Sequence, residues 1–417
     1  MSMTSKIPAF IDQFNKKFSL SSGLTVFNRL FAVFIMGFMF IVVARTLGPS
    51  GQGIVATLVA MITIAIQFGN LGLYASNIRF VGADRSLYRQ AAGNSLAIGS
   101  VLGLLMAAML VGVYLISPSL FPDITLLLIA FYAASLPFSL LTMLFQGMLL
   151  AVEDIVKYNL LIFARAVVLV GGVVVILMFL GGGVLELILF LVAVEVLFAA
   201  TYGGVVYLKE KFSFTIDAEF LKKMVGYGFK VYLATQLTYL VLKFDIIMVN
   251  YYLGSYQAGI YSVSSKMADM VKLIPETVAL IFFPRATALK DKAKPFANKV
   301  LLVIGVFMLF MCLFLYFTAQ PILLALFGQE YAGSVEPFIW LIPGIFFISI
   351  EVLLMNYFAS KQMPLYVVFT PLVGLSVNVG LNMMWLPKYG IVAAAWTSTI
   401  SYTVMFLMLA LKYRTSR

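Results

Sequence analysis

Six ionisable side chains interrupt a stretch of sequence that is otherwise built for hydrocarbon. Residues 229–283 form two apolar runs, with Lys243 and Asp245 inside the first and Lys266, Asp269, Lys272 and Glu276 inside the second. An ionised group in hydrocarbon is costly, so such residues face a partner or a water-filled cavity. At about 100° per residue, the four charges of the second run fall within an arc of about 120°. Tyr232, Gln236, Tyr239, Lys243 and Asn250 share one face of the first run. Buried Lys and Arg attract anions, Arg gripping phosphate bidentately and Lys offering a point charge. Two membrane helices with polar stripes therefore enclose something wet and charge-selective. The alternative is internal ion pairing that only fixes helix packing.

Similar groups lie elsewhere in the chain. Arg29 and Arg165 sit near the starts of the first and fifth apolar spans, and Glu195 and Glu351 lie deep in the sixth and tenth. Gln67 and Asn70 share a face of the second span with Tyr74 and Asn77, and Asn378 and Asn382 stand one turn apart in the eleventh. These amides either line a lumen or hydrogen-bond between helices. With no histidine in the chain, proton coupling must use a carboxylate, and the deep candidates are Glu195, Asp245, Asp269 and Glu351. Asp269 is one turn from Lys266 and Lys272 and reads as their partner. Asp245 points off the polar stripe and is either structural or a partner for Arg165. Glu351 is preferred for coupling, with Ser349 and Asn356 supplying oxygens.

The elements that position these groups follow from composition. Of 417 residues, 63% are hydrophobic and 11% charged, against about 25% charged in soluble domains. Twelve apolar spans of about 20 residues can be read, the length a helix needs to cross a bilayer. With the N-terminus in the cytosol, Arg45 and Lys388 are the only basic residues between spans on the outer side. That asymmetry obeys the positive-inside rule, places both termini in the cytosol, and makes the net charge of +11 a matter of topology and not of nucleic-acid binding. One cysteine, Cys312, excludes a disulfide framework. The absence of histidine removes the usual metal ligand and triad base, so no metal or cofactor is expected.

The chain repeats itself. Leu47-Gly48 and Gly53-Ile54 recur as Leu253-Gly254 and Gly259-Ile260, and Pro137 as Pro343, all 206 residues later; Gly183-Val184 recurs as Gly390-Ile391. Two copies of six spans around a central site is a transporter plan. The expected divisions are an interfacial segment 1–23, a lobe 24–208, a cytosolic linker 209–228, a second lobe 229–411 and a tail 412–417. Ile7, Phe10, Ile11, Phe14 and Phe18 give the first segment an apolar face, and Asp217 is placed to cap a short amphipathic linker helix carrying Phe220, Leu221 and Met224.

ARTLGPSGQGI after the first span, FGNLGLYASNIRFVG closing the second, KFDIIMVNYYLGSYQAGIYSVSSKMADMVKLIP through the seventh and eighth, and FFPRATAL at 282–289 resemble the polysaccharide flippase branch of the multidrug/oligosaccharidyl-lipid/polysaccharide exporter superfamily. The resemblance covers essentially the whole chain. It implies an all-α membrane protein of twelve helices in two six-helix lobes, forming a V around a cationic cavity. The implied activity is translocation of undecaprenyl-pyrophosphate-linked oligosaccharide repeat units across the inner (cytoplasmic) membrane for cell-surface polysaccharide such as O-antigen. The implied partners are that polyprenyl-pyrophosphate-linked glycan, membrane lipid, and neighbouring polymerases or glycosyltransferases, with the chain itself a monomer. Asp245 occupies the family's acidic position before Leu253-Gly254. Arg29, Arg165, Lys243, Lys266 and Lys272 are candidates for the cationic lining, with Gln67, Asn70, Gln236 and Tyr239 as polar lining.

Two competing readings remain. A multidrug or cation antiporter of the same superfamily would favour acids in the lumen, where this chain places more bases. A glycan-processing membrane enzyme would need a sizeable loop with paired carboxylates; Glu153-Asp154 is the only adjacent acidic pair, and a loop edge explains it.

Overall fold

The computed structural model describes residues 6–289, 292–361 and 365–415, with side chains from Phe34 onward other than those at 230, 231, 234 and 365. Backbone in hydrocarbon must satisfy its own hydrogen bonds, and the described residues are helical with no strand. The order is α1 (Lys6–Gly69), α2 (Leu73–Ala83), α3 (Tyr88–Ile116), α4 (Leu126–Ala133), α5 (Leu136–Ala151), α6 (Ile155–Val174), α7 (Val184–Lys209), α8 (Ala218–Leu289), α9 (Ala293–Phe327), α10 (Val335–Ser360), α11 (Leu365–Tyr389) and α12 (Ile391–Thr415). Among the described residues, nine helices are long and apolar enough to cross a membrane. The charge-bearing α8 is not one of them. Segment 7–18 is helical and continuous with the first span; its side chains lie outside the described residues.

α1 and α8 are each two arms joined at a glycine. Gly48 (φ 64°, ψ 180°) divides α1 into 6–47 and 49–69, and Gly254 (φ 80°, ψ 174°) divides α8 into 218–253 and 255–289. These angles lie in a region essentially restricted to glycine. Counted by arms, with α2 continuing α1 and α4 continuing into α5, the helices make twelve crossing segments in two lobes of six. The two hinges match in position and conformation, as the 206-residue repeat requires. The repeat is looser at Pro137, which starts α5 after a break from α4, whereas Pro343 sits within an unbroken α10.

At the hinge side the two hairpins cross in van der Waals contact. A Cβ added to Gly53 would fall 1.7 Å from the Ser255 carbonyl oxygen, and one added to Gly259 would fall 1.8 Å from that of Pro49. These contacts are repeat-related, since Pro49 corresponds to Ser255 and Gly53 to Gly259. Small residues permit such backbone approach in membranes. Side chains lock the crossing. Asp123, itself at φ 62°, accepts hydrogen bonds from the Ser255 amide (3.1 Å) and hydroxyl (2.9 Å). Arg45 donates to the Leu326 carbonyl at 2.8 Å at the end of α9, where partial negative charge collects. The Tyr331 hydroxyl donates to the Ala44 carbonyl at 2.8 Å.

At the opposite, linker side, the Asp217 carboxylate accepts from the Phe220 amide at 2.9 Å, the cap read from sequence. The amphipathic helix it starts is the beginning of α8, not a separate element, and its Phe220 and Met224 are buried in the core of the first lobe with Leu73, Val81 and Tyr88. A Cβ on Gly72 would meet the Gly228 backbone at 2.6 Å, so the lobes also touch here.

Candidate functional site

Because α8 doubles back at Gly254, Lys243 on its first arm and Asp269 on its second come face to face and pair. The other oxygen of Asp269 accepts from Lys272 at 2.8 Å. One carboxylate is thus shared by two ammonium groups. Lys266, one turn before Asp269, has no ion-pair partner among the described residues; its ammonium lies 5.7 Å from the centre of the Phe40 ring on the first arm of α1, within reach of a cation–π interaction.

These groups surround a cavity of about 150 Å³ between the lobes. Its walls are Phe40, Val59 and Thr63 from the two arms of α1, and Tyr239, Lys243, Asp245, Ser262, Ser265, Lys266 and Asp269 from the two arms of α8. Lys272 stands behind Asp269, buried. Three lysines face two carboxylates, so one positive charge is left over when all are ionised. Such a site suits an anion carrying strong acceptor oxygens. At 150 Å³ the chamber is smaller than the roughly 300–1,000 Å³ of small-molecule sites. It is a contracted chamber.

Asp245 is tied down differently. It accepts from the Tyr261 hydroxyl, its neighbour Ile246 N–H at 2.8 Å and the Ser398 hydroxyl at 3.3 Å. Asn378 donates to Ser398 at 3.2 Å, Asn382 to Asn378 at 3.0 Å, and Thr397 to Asn382 at 2.8 Å. The Asn pair therefore links α11 to α12, and through Ser398 to α8. Asn250, on the same arm as Asp245, has both amide atoms buried without a hydrogen-bond partner among the described residues.

The other sequence candidates separate from this cluster. Arg165 pairs with Glu195 across α6 and α7, so the Arg165–Asp245 pairing considered from sequence is not formed. Arg165 is not among the residues lining the cavity. Arg29 lies outside the residues whose side chains are described. Gln236 donates to Gln67 at 3.5 Å across the lobes, while the Asn70 side chain accepts from the Tyr74 amide at 3.0 Å and caps the turn before α2. Glu351 is 1% exposed, with one carboxyl oxygen lacking a partner. Ser349 and Asn356, expected to supply it with oxygens, instead donate to the carbonyls of Ile345 (2.6 Å) and Val352 (2.8 Å) on their own helix. Among the described residues, no three Asp, Glu or Cys side chains gather in a way that could hold a metal ion.

Sequence reading missed Asp123, Ser255, Arg45 and Tyr331 at the crossing, and Gln52, which donates to Ser262 at 3.3 Å between the lobes. The repeat held the signal. Asp123 is 206 residues before Gln329, and Glu330, next in sequence, lies beside the other hinge, its Oε2 3.6 Å from where a Gly48 Cβ would stand.

Residues 42–336 match the model of a family described as polysaccharide biosynthesis protein. No curated protein matches the sequence. In fold the chain is similar to a multidrug resistance MATE family transporter of the MOP superfamily in its inward-facing conformation, with TM-score 0.74 and 14% identity over 92% of this chain and 94% of that one. It is also similar to the lipid II flippase MurJ in an inward closed conformation, with TM-score 0.72 and 16% identity over 95% and 87%. An outward-facing MATE family transporter matches with TM-score 0.61 and 13% identity over 94% and 92%.

Proposed function

We propose that this chain, which belongs to the polysaccharide biosynthesis protein family, is a flippase that moves an anionic lipid-linked oligosaccharide of the polyprenyl-pyrophosphate class between leaflets, by alternating access of its two lobes. The observation that carries the reading is Lys266, a cation without an ion-pair partner among the described residues, beside a carboxylate shared by Lys243 and Lys272, in a cavity walled by both lobes. A pyrophosphate entering from the linker side binds Lys266 first. It then competes with Asp269 for Lys243 and Lys272, so substrate binding loosens the contact between the arms of α8. The hydrophilic head travels through the cavity while the polyprenyl tail stays in lipid.

The contracted chamber and the sealed hinge crossing fit a state closed toward the hinge side. The better match to inward-facing than to outward-facing relatives supports the same assignment. In this reading the lobes 24–208 and 229–411 move as bodies, both termini face the cytosol, the membrane is the cytoplasmic one, and the glycan comes from glycosyltransferases and goes to a polymerase. A cation antiporter is disfavoured by the surplus of lysine. An enzymatic role is disfavoured because the carboxylates of the cavity are engaged by lysine, tyrosine and serine.

The test is flipping of a fluorescent polyprenyl-pyrophosphate-linked sugar in proteoliposomes. Losing one charged hydrogen bond costs about 1.5–3 kcal/mol, or roughly ten- to a hundredfold. Lys266→Gln is expected to slow flipping by that factor with folding intact, and wild-type rates in Lys266→Gln would overturn the assignment.

A further inference from the structure

The first lobe carries a second cavity system, remote from the lysine chamber. A groove of about 530 Å³ runs along α7, where Ala200, Gly203 and Gly204 form a shallow floor between Leu141 and Phe145 of α5 and Tyr207. The groove opens outward: of its lining residues, Tyr207 is 43% and Phe214 60% exposed. At the linker side it abuts a recess of about 390 Å³ lined by Arg89, Gln90, Lys211 and Thr215. Phe212 and Ser213 line both. The two adjoin through these residues, the groove apolar along its length and the recess basic at its linker-side end.

We infer that this site binds one anionic glycerophospholipid from the leaflet on the linker side, its phosphate in the basic recess and an acyl chain in the groove. Three features select that occupant. Arg89 and Lys211 are the charged residues that line the recess, with Glu210 3.5 Å from Arg89. The recess also sits at the first turn of α3, a 29-residue helix, where the helix dipole favours negative charge. Finally, the groove spans Val196 to Tyr207 on α7, roughly 16 Å at 1.5 Å per residue, which is about half of a 30 Å hydrocarbon core. That is the depth of one leaflet.

The floor is built to stay open. Glycine inside a helix is destabilising relative to alanine, yet a Cβ on Gly204 would meet nothing within 4 Å. Packing between protein helices therefore does not require this glycine, whereas a chain lying in the groove does. The mouth is formed by the linker that enters α8, and that linker is held to α3: the Asn94 amide donates to the Asp217 carbonyl at 3.3 Å, and the Asn94 carbonyl oxygen accepts from the Asp217 amide at 2.8 Å. A lipid seated here packs against Phe212 and Ser213 and holds the interlobe linker on the first lobe.

Native mass spectrometry of the full-length protein in detergent, with dioleoyl phosphatidylglycerol or dioleoyl phosphatidylcholine added, tests the site. The wild type is expected to retain one phosphatidylglycerol with at least tenfold preference. Arg89→Glu with Lys211→Glu is expected to abolish that preference. Gly204→Phe, filling the groove, is expected to reduce retention of both lipids at least tenfold with unchanged far-UV circular dichroism; Ala200→Phe, on the same floor, replaces it should it misfold. Equal retention of the two lipids by the wild type, wild-type retention by both classes of variant, or displacement of phosphatidylglycerol by equimolar polyprenyl phosphate would each overturn the inference.

Discussion

Gly259→Ala puts a methyl group in place of a hydrogen at the place where the lobes cross. The new Cβ would stand 1.8 Å from the Pro49 carbonyl oxygen and 2.7 Å from its carbon. Close C···O contacts fall near 3.3 Å, so the hairpins must part by about 1.5 Å. The obstructing atoms are backbone in the arm that follows Gly48, and no rotamer can move them aside. Overpacking of this kind costs about 1–3 kcal/mol, and only the hinge-closed state bears it. At about 1.4 kcal/mol per tenfold, the closed state loses roughly five- to a hundredfold in population relative to one opened at the hinge. Gly53→Ala meets Ser255 in the repeat-related way and should do the same. The assay is double electron–electron resonance between labels at Ser119 and Gln329, in exposed hinge-side turns of the two lobes. Buried Cys312 is the sole native cysteine, so Cys312→Ser gives a clean background. Both alanine variants should move weight from a short to a longer distance. Unchanged distance distributions in both folded variants would refute the crossing as the closed gate.

Asp123→Asn weakens the acceptor for two Ser255 hydrogen bonds and should shift the same distance distribution toward the longer value, more weakly than Gly259→Ala. Asp269→Asn leaves the half-buried Lys243 and the buried Lys272 without their carboxylate, so its thermal midpoint in detergent should fall well below that of Lys266→Gln, which breaks no ion pair among the described residues. Glu195→Gln should likewise lower the midpoint by stranding Arg165, with any gradient response of flipping unchanged. Glu351→Gln should keep its midpoint and lose the dependence of flipping on an imposed proton or sodium gradient; an unchanged response would remove Glu351 as the coupling group.

The architecture was legible because hydrocarbon leaves the chain few choices. Apolar runs of sufficient length become helices, and a strict repeat of Leu-Gly followed by Gly-Ile marks two matching hinges. The partner of Asp269 was legible in part for a local reason. Lys272 lies one helical turn away, and helix geometry alone brings it close. Lys243 required knowing how tightly α8 folds at Gly254, and helical periodicity carries no information about the far arm. Arg165 illustrates the same limit. Its charge and depth resembled those of the cavity lysines, but the nearest carboxylate was set by how α6 packs on α7, and that packing gave it Glu195. Ser349 and Asn356 failed as partners of Glu351 because Ser and Asn in a helix can bond to the carbonyl four residues back, a competitor that spacing does not reveal.

Under the proposed function, the sharing of Asp269 between two of the three lysines has a role beyond attracting an anion. Without Asp269, Lys243 and Lys266 on the wall of the 150 Å³ chamber and Lys272 behind them would repel one another and hold the arms of α8 apart. Asp269 bridges two of them at rest, offsetting one of their two positive charges, and lets the arms of α8 approach. Under the proposed function, a pyrophosphate, more negative than that single carboxylate, would displace Asp269 from one lysine while engaging Lys266. In that reading the substrate itself would reverse the contraction, by binding an expanded chamber in preference to the contracted one. Differential affinity of that kind is what a ligand needs in order to shift a conformational equilibrium. At the hinge, the glycine crossing and the Asp123–Ser255 contacts supply the opposing bias toward closure. The lysine cluster and the crossing are therefore two ends of one balance, joined by the two arms of α8.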